Sequence, residues 1–392
     1  ELMRRTMARP LVTAALDWSR KQGRILTAGG RAEDLYTAER GFPFEPHELP
    51  HHHLLHGTTH SQFREWRAAG RVSAAVVGAW SRPLFTGGWE HTSDHDERVY
   101  NIQTHSVFID LRIPRSRPDV APHDTLQSLS DLELRLLARQ HVFAGYTLPG
   151  AGAEAEPLIC TRHHAIDWNF VGVMRPRPNK WRVELGPRAA TSGRAEQWKE
   201  WSFAADEHGQ SYYMERWARI AGDGEGIGST LALRFCGLPD AFLLVVGDHF
   251  AYATARPECP LVAEAHPDGT ASAPSLVDLV DAAIARGDRD TAEKWLGLEG
   301  GHGLVSKDWE IDASTHPWRE GRQRLTPNSI QGAIVDSQIA GDVTNDQHAM
   351  ALARGAEDMV VIDGQPWEIM ERHGLATSSD ILDLLRGQRQ LC

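Results

Sequence analysis

Hydrophobic and polar positions alternate through the middle of the chain. From about Val72, short runs of β-branched and aromatic residues stand between turn residues, at the spacing of an all-β sandwich or barrel. The pattern predicts strands over 99–113, 140–148, 158–170, 180–185, 197–204, 211–220, 229–235 and 241–255. One helix interrupts them. In SDLELRLLARQ the leucines recur at helical spacing, Ser130 stands at the N-cap, and Glu133 completes a capping box.

Toward both ends the period changes to that of helices. An amphipathic stretch covers 11–20, and irregular sequence rich in Gly, Pro and His then runs to Thr59. There a capping box formed by Thr59 and Gln62 opens a short helix that Gly70 ends. After Pro274, SLVDLVDAAIARGD predicts a helix with Ser275 and Asp278 at its start and Gly287 as its stop. The rest reads as a helix over 290–296, a strand over 305–311, and a helix over 345–354 between Thr344 and Gly355. A strand over 359–362, an Asp363-Gly364 hairpin turn, a strand over 366–370 and a helix over 379–386 follow. No repeat with a period of about 20 to 50 residues supports a solenoid or a propeller.

Charge and length narrow the function classes. The chain has 392 residues, 41 Lys plus Arg against 53 Asp plus Glu, and a net charge of -12. A balance of that sign opposes attraction to phosphate backbones and anionic membranes, so no nucleic-acid or membrane partner is expected. The longest apolar run, 241–246, is far below the roughly 20 residues of a membrane helix, and ELMRRTMARP lacks the apolar core of a signal peptide. A soluble, cytoplasmic protein is expected. Cys160, Cys236, Cys259 and Cys392 are scattered without CxxC spacing, which indicates neither a zinc site nor a disulfide framework.

STLALRF and DAFLLVVGDHFAYATARP, with WKEWSFAADEHGQSYYMERWARI before them, resemble the second half of the small lipocalin-like proteins built as two β-barrels and known from yeast. FIDLRIP, FAG, the His-rich strand and STHPWREG at 314–321 are similar to uncharacterised bacterial proteins of the same kind. The resemblance covers roughly 99–256 and that downstream piece. It implies a mainly β fold, a lipocalin-like pair of barrels with interior pockets, of a type that commonly holds a small ligand. No reaction transfers with it. The expected organisation is a helical or irregular extension over 1–71, a barrel core over 72–273, and a mixed helix and strand region over 274–392 that partly completes the barrels.

Strand alternation then sorts the candidate chemistry. Read as one strand, 241–255 places Asp248, Phe250 and Tyr252 on one side, and Gly247, His249, Ala251 and Ala253 on the other. His249, among small residues, is the pocket candidate, and Asp248 the structural partner. In THSVFIDLRIP, Asp110 and Arg112 share a face and His105 takes the other. That pair is either a rim ion pair or an arginine poised for a carboxylate. CTRHHAIDWNF alternates Arg162, His164 and Trp168 with His163, Asp167 and Asn169, so either face brings a histidine into the barrel. In YYMERWARI, Glu215, Trp217 and Arg219 share a face. Glu215 is there a general acid or base, or else a solvated partner of Arg219.

Two further clusters are weak metal candidates: His47, His51, His52, His53, His56 and His60, and HTSDHD at 91–96. GDGEGIGS at 222–229 joins two strands, opens no helix and lacks a P-loop lysine, so it reads as a hairpin connection. GxSxG, HExxH and CxxC are absent from the sequence.

These patterns lead to a barrel that encloses a small, partly aromatic molecule and transforms it by acid and base chemistry without a cofactor, as a hydrolase, isomerase or lyase. His249 and His164 are the proton-transfer candidates, Glu215 and Asp248 the carboxylates, and Arg112 and Tyr252 the anchors; His105, Trp217 and Trp168 complete the binding set. The rival readings are a carrier or sensor without catalysis, with haem or a transition metal as alternative cofactor, and an interaction protein that docks through its helical ends. Assembly into a homo-oligomer is left open.

Overall fold

The computed structural model describes residues 72–87, 90–92, 97–115, 117–121, 124–149, 158–171, 179–187, 194–202, 213–222, 228–257, 275–353 and 358–388. The helices expected over 11–20 and 59–70, the His-rich segment 47–60, Asp94 to Asp96, most of GDGEGIGS, Cys259 and Cys392 lie outside these residues.

Nine strands make the first sheet: β1 (Gly78–Gly87), β2 (Glu90–Thr92), β3 (Glu97–Gln103), β4 (Val107–Pro114), β5 (His141–Pro149), β6 (Leu158–Asp167), β7 (Asn179–Leu185), β8 (Gln197–Ser202) and β9 (Tyr213–Arg219). Each strand from β3 to β9 pairs antiparallel with the next, β1 pairs with β3, and β1 returns to pair with β9 from Trp80↔Arg219 to Gly87↔Tyr213. The result is a closed eight-stranded barrel with β2 as a short extension of β1. Closure removes the free edges that an open sheet would leave.

The second sheet comprises β10 (Thr230–Phe235), β11 (Ala241–Val246), β12 (His249–Thr254), β13 (Glu299–Leu304), β14 (Glu310–Ser314), β15 (Ile330–Val335), β16 (Gln338–Gly341), β17 (Met359–Ile362) and β18 (Gln365–His373). Its order is β14-β13-β12-β11-β10-β18-β17-β15-β16, and among the described residues its two outer strands do not pair with each other. The mainly β expectation therefore holds, with one closed barrel and one open sheet. Among the described residues five α-helices accompany them: α1 (Asp131–Leu137), α2 (Leu276–Ala285), α3 (Arg289–Trp295), α4 (Asn345–Ala353) and α5 (Ser378–Leu385). Among the described residues no helix is long and apolar enough to cross a membrane.

Two of the apolar clusters join these layers. Ile102, Ile109, Leu111, Ile113, Val142 and Ala144, on one face of β3 to β5, join α1 to α3 and Phe242, Leu244, Val246 and Ala253 of the second sheet in one apolar cluster. The opposite face of that sheet, with Leu231, Leu243, Val245 and Phe250, packs with Ile381, Leu384 and Leu385 of α5. Burial of this apolar area is the main force that joins barrel, helices and sheet.

Local signals place several elements as expected. Ser130 N donates to Glu133 Oε2 at 2.6 Å and Glu133 N to Ser130 Oγ at 3.3 Å, the reciprocal box that starts α1. Asp363 and Gly364, at φ 50° and 74°, turn β17 into β18. Two long expected strands are instead hairpins. The run 99–113 breaks at 104–106 into β3 and β4, and 241–255 breaks at Gly247-Asp248 into β11 and β12, with Gly247 at φ 60°. The strand expected over 305–311 is a 3-10 turn, Val305–Lys307, leading into β14.

Candidate functional site

Register defines which side chains face into the barrel, because directly paired residues share a face. Asn101 pairs with Asp110, Val99 with Arg112, Arg112 with His141, and Thr147 with Arg162. Cys160 pairs with Trp181, Val183 with Glu200, Glu200 with Glu215, and Trp198 with Trp217. Contacts that skip strands show that this face is the inner one. Arg162 Nη2, on β6, donates to Asn101 Oδ1 on β3 at 3.1 Å, and Arg112 Nη1, on β4, reaches Glu215 Oε1 on β9 at 3.2 Å. The barrel thus holds both ions and a tryptophan-rich apolar cluster inside, and is apolar where it meets the helices and the second sheet.

Inside, the ions form a connected network. Arg82 donates to Glu215 Oε1 at 2.6 Å and to Glu97 Oε2 at 2.7 Å. Arg112 grips Asp110 with two parallel bonds, Nε to Oδ1 at 2.9 Å and Nη2 to Oδ2 at 3.0 Å. Such forks are the strongest hydrogen bonds available to a guanidinium. Arg162 bonds to Asn101 and to Gln103 Oε1, which also accepts from Thr147 Oγ1 at 2.9 Å, and lies 4.3 Å over Phe108 and 5.1 Å over Trp181. Burial opposes the Asp110 charge, but Arg112 and Arg162 outweigh it and hold the carboxyl below its ordinary pKa. Burial also opposes the Arg112 charge, and Asp110 and Glu215 overcome that and raise its pKa. Burial, followed by the charges of Arg112 and Arg82, lowers His141 to about 3, so this imidazole is neutral. Burial raises the Cys160 thiol to about 12.

Next to the ions stands a ladder of tryptophans. Trp181 and Trp198 stack with centroids 5.6 Å apart at 19°, Trp198 and Trp217 at 5.5 Å and 22°, and Trp80 meets Trp198 edge-on at 5.8 Å. Trp80 donates its indole N–H to Val76 O at 2.9 Å. The indole N–H groups of Trp181, Trp198 and Trp217 are buried with no partner among the described residues, as are Asn101 Nδ2, Arg162 Nε and Glu215 Oε2. Buried polar groups are almost always paired, with protein, water or ligand. These unpartnered groups are concentrated on the inner face of one barrel.

No protein-family model matches the sequence, and no curated protein matches it. Among solved structures, that of an uncharacterized protein from Saccharomyces cerevisiae, YLR301w, is similar at 14% identity and a TM-score of 0.40, over 76% of this chain and 99% of the yeast chain. A likeness of that degree carries no argument; the barrel stands on its own strand pairings.

The barrel gathers four of the residues singled out from sequence: Arg112, Glu215, Trp217 and His164. His164 Nδ1 lies 2.6 Å from Asp167 Oδ2, with the rings of Phe143 and Phe108 at 4.9 and 5.5 Å. Glu215 does not pair with Arg219, whose guanidinium lies 4.1 Å over Trp80 and donates to the carbonyls of Val77 and Ala195.

The other five sit elsewhere. The hairpin turn removes the alternation that placed Asp248 and His249 on opposite faces of one strand. Asp248 caps the next turn, accepting from Ser306 N at 2.7 Å and from Ser306 Oγ at 2.5 Å. His249 has both ring nitrogens engaged, Nδ1 with His302 Nε2 at 3.0 Å and Nε2 with Ala221 O at 2.8 Å. Tyr252 belongs to the core of the second sheet and donates to Glu299 Oε1 at 2.7 Å. Trp168 donates to Ala138 O at 3.1 Å, outside the barrel beneath α1. His105 sits in the β3–β4 turn, where its N–H donates to Glu371 Oε1 at 2.8 Å.

Sequence reasoning passed over Arg82, Glu97, Asn101, Glu200, Trp181 and Trp198. A signal existed: Trp181, Trp198 and Trp217 recur on three successive predicted strands, with Glu200 and Glu215 each two positions from a tryptophan and so on its face. Among the described residues no group of three or more His, Cys, Asp and Glu is arranged to hold a metal ion.

Proposed function

We propose that the closed barrel is a lipocalin-like binding site for a small, partly aromatic organic molecule, and that the protein acts as its carrier or sensor. The observation that supports this is the ladder of Trp181, Trp198 and Trp217, with three buried indole donors lacking partners inside one barrel. Eight-stranded barrels are either filled by side chains or hold one small ligand, and aromatic walls with a few convergent polar groups are the usual lining of the second kind. The reading needs neither metal nor haem. It is preferred to acid and base catalysis because His249 is committed at both nitrogens and His141 is too weak a base near neutrality. Isothermal titration against a library of small aromatic molecules tests it. Saturable binding that Trp198→Phe weakens while the fold is retained is the expected result; ligands that bind equally well to the variant would rule the barrel out.

One observation keeps an enzymatic reading in view. His164, oriented by Asp167 at 2.6 Å on an inward-facing strand position, has the geometry of a general base held by a carboxylate. Once a ligand is known, chemical change of that ligand by the wild type and not by His164→Asn would support hydrolase, isomerase or lyase chemistry there.

A further inference from the structure

Arg82, Arg112 and Arg162, three of the inner arginines, are not equally satisfied. Arg82 is bound by two carboxylates at 2.6 and 2.7 Å, and Arg112 by the Asp110 fork and by Glu215 at 3.2 Å. Arg162 differs. Its single carboxylate contact is 3.5 Å from Nη1 to Asp110 Oδ2, an oxygen that Arg112 already engages at 3.0 Å. Its remaining partners are the neutral amide oxygens of Asn101 at 3.1 Å and Gln103 at 3.3 Å. The residue is 5% exposed, and Nε has no partner among the described residues.

Three donors around it have no partner among the described residues. Asn101 is bonded to Arg162 through Oδ1 and leaves Nδ2 free; Trp181, 5.1 Å beneath the guanidinium, leaves Nε1 free. Arg162, Asn101 and Trp181 therefore offer three buried donors in one neighbourhood, at a guanidinium whose carboxylate contact is long and shared. A buried cation with incomplete pairing is costly, and an anion with good hydrogen-bond geometry offsets part of that cost.

We infer that Arg162, with Asn101 and Trp181, anchors the oxyanion of a small organic acid, a carboxylate or a phosphoryl group, whose aromatic or apolar remainder lies along the tryptophan ladder. The inference rests on the reading of the barrel as a binding site and names the chemistry of its ligand.

Benzoate, phenylphosphonate and benzamide separate the possibilities, since benzamide has nearly the shape of benzoate without its charge. Titration calorimetry of the full chain is expected to give at least about tenfold tighter binding of one oxyanion than of benzamide, in keeping with the strength of charge-assisted bonds. Which oxyanion wins distinguishes a carboxylate from a phosphoryl ligand. Arg162→Met is expected to abolish the preference for the oxyanion over benzamide. Should that variant fail to fold, Arg162→Lys and Trp181→Phe carry the test, and each is expected to weaken oxyanion binding severalfold. Benzamide binding as tightly as both oxyanions, or a preference that survives these variants, overturns the anchor and leaves the barrel as a binding site. Failure of all three compounds to bind overturns both.

Discussion

Arg112 Nη1 and Glu215 Oε1 lie 3.2 Å apart although β3 and β1 separate their strands around the barrel wall. Glu215 Oε1 also accepts from Arg82 at 2.6 Å, so one carboxylate oxygen ties three strands together across the lumen. Glu215→Gln leaves two buried guanidiniums short of countercharge. It is expected to cost about 3 to 5 kcal/mol in urea unfolding, the usual penalty for breaking a buried pair. Glu184→Gln, at the exposed pair with Lys199, is expected to cost less than about 1 kcal/mol. Equal losses at the two sites would show that the lumen is as wet as the surface.

Acid should unfold the chain earlier than its carboxylates alone require. Folded His141 takes a proton only near pH 3, against 6.5 ordinarily. Between those values the unfolded chain binds a proton that the folded chain refuses, so stability is full above 6.5 and falls as pH drops. The slope is up to about 1.4 kcal/mol per pH unit for one such group. His302, lowered by burial and then by His249, acts in the same direction. Burial works against the Glu299 charge, but His316 and Arg319 hold its pKa at about 2 against 4.5, which adds a further loss from 4.5 downward. His141→Gln is expected to flatten the stability profile between pH 6.5 and 4.5 by about one proton's slope; an unchanged profile contradicts the assignment.

The two sheets are clamped at one corner. Glu371 of β18 accepts from Thr104 Oγ1 at 3.0 Å, His105 N at 2.8 Å, and Ser106 N and Oγ at 3.0 Å each. One carboxylate thus organises the whole β3–β4 turn. Glu371→Ala strands these donors and is expected to lower stability by about 2 to 4 kcal/mol, with Glu371→Gln milder because it retains an acceptor. Thermal unfolding followed by circular dichroism measures both.

Where an element is specified by local chemistry, the sequence shows it directly. The Ser130 and Glu133 box, Ser275, and Asp363-Gly364 depend on neighbours within four residues, and all three act at the positions read from the chain. Elements specified by distant packing were hidden. EGGHGL looks like a loop, yet it is β13 because its glycines let other side chains in: a Cβ at Gly300 would meet Val142 Cγ2 at 2.5 Å, and one at Gly301 would meet Tyr252 Cε1 at 2.5 Å. The candidate site was half legible for a related reason. Alternation put Glu215 with Trp217 and Asp110 with Arg112 correctly, but it cannot tell which face of a strand a closed barrel turns inward. Nor does it register a turn as polar and short as Gly247-Asp248 inside an apolar run.

His249 is the sharpest case of that ambiguity, and its role can be tested. The Ala221 carbonyl can only accept, so Nε2 carries a proton, and Nδ1 shares a hydrogen bond with His302 Nε2. His302 in turn stacks on Tyr100 of β3 at 4.0 Å and 12°. The chain of contacts runs from the β11–β12 hairpin to the outer face of the barrel, away from the lumen. His249→Ala leaves His302 Nε2 and the Ala221 carbonyl without their partner, and is expected to cost about 1 to 3 kcal/mol for each buried group stranded. Binding inside the barrel should stay within about twofold, because pairwise effects fade for residues that share no partner. Parallel unfolding and calorimetric titrations of His249→Ala and Trp198→Phe decide the matter. If the histidine variant keeps its stability and loses ligand binding, His249 belongs to the site; the reverse pattern makes it a structural link between barrel and sheet.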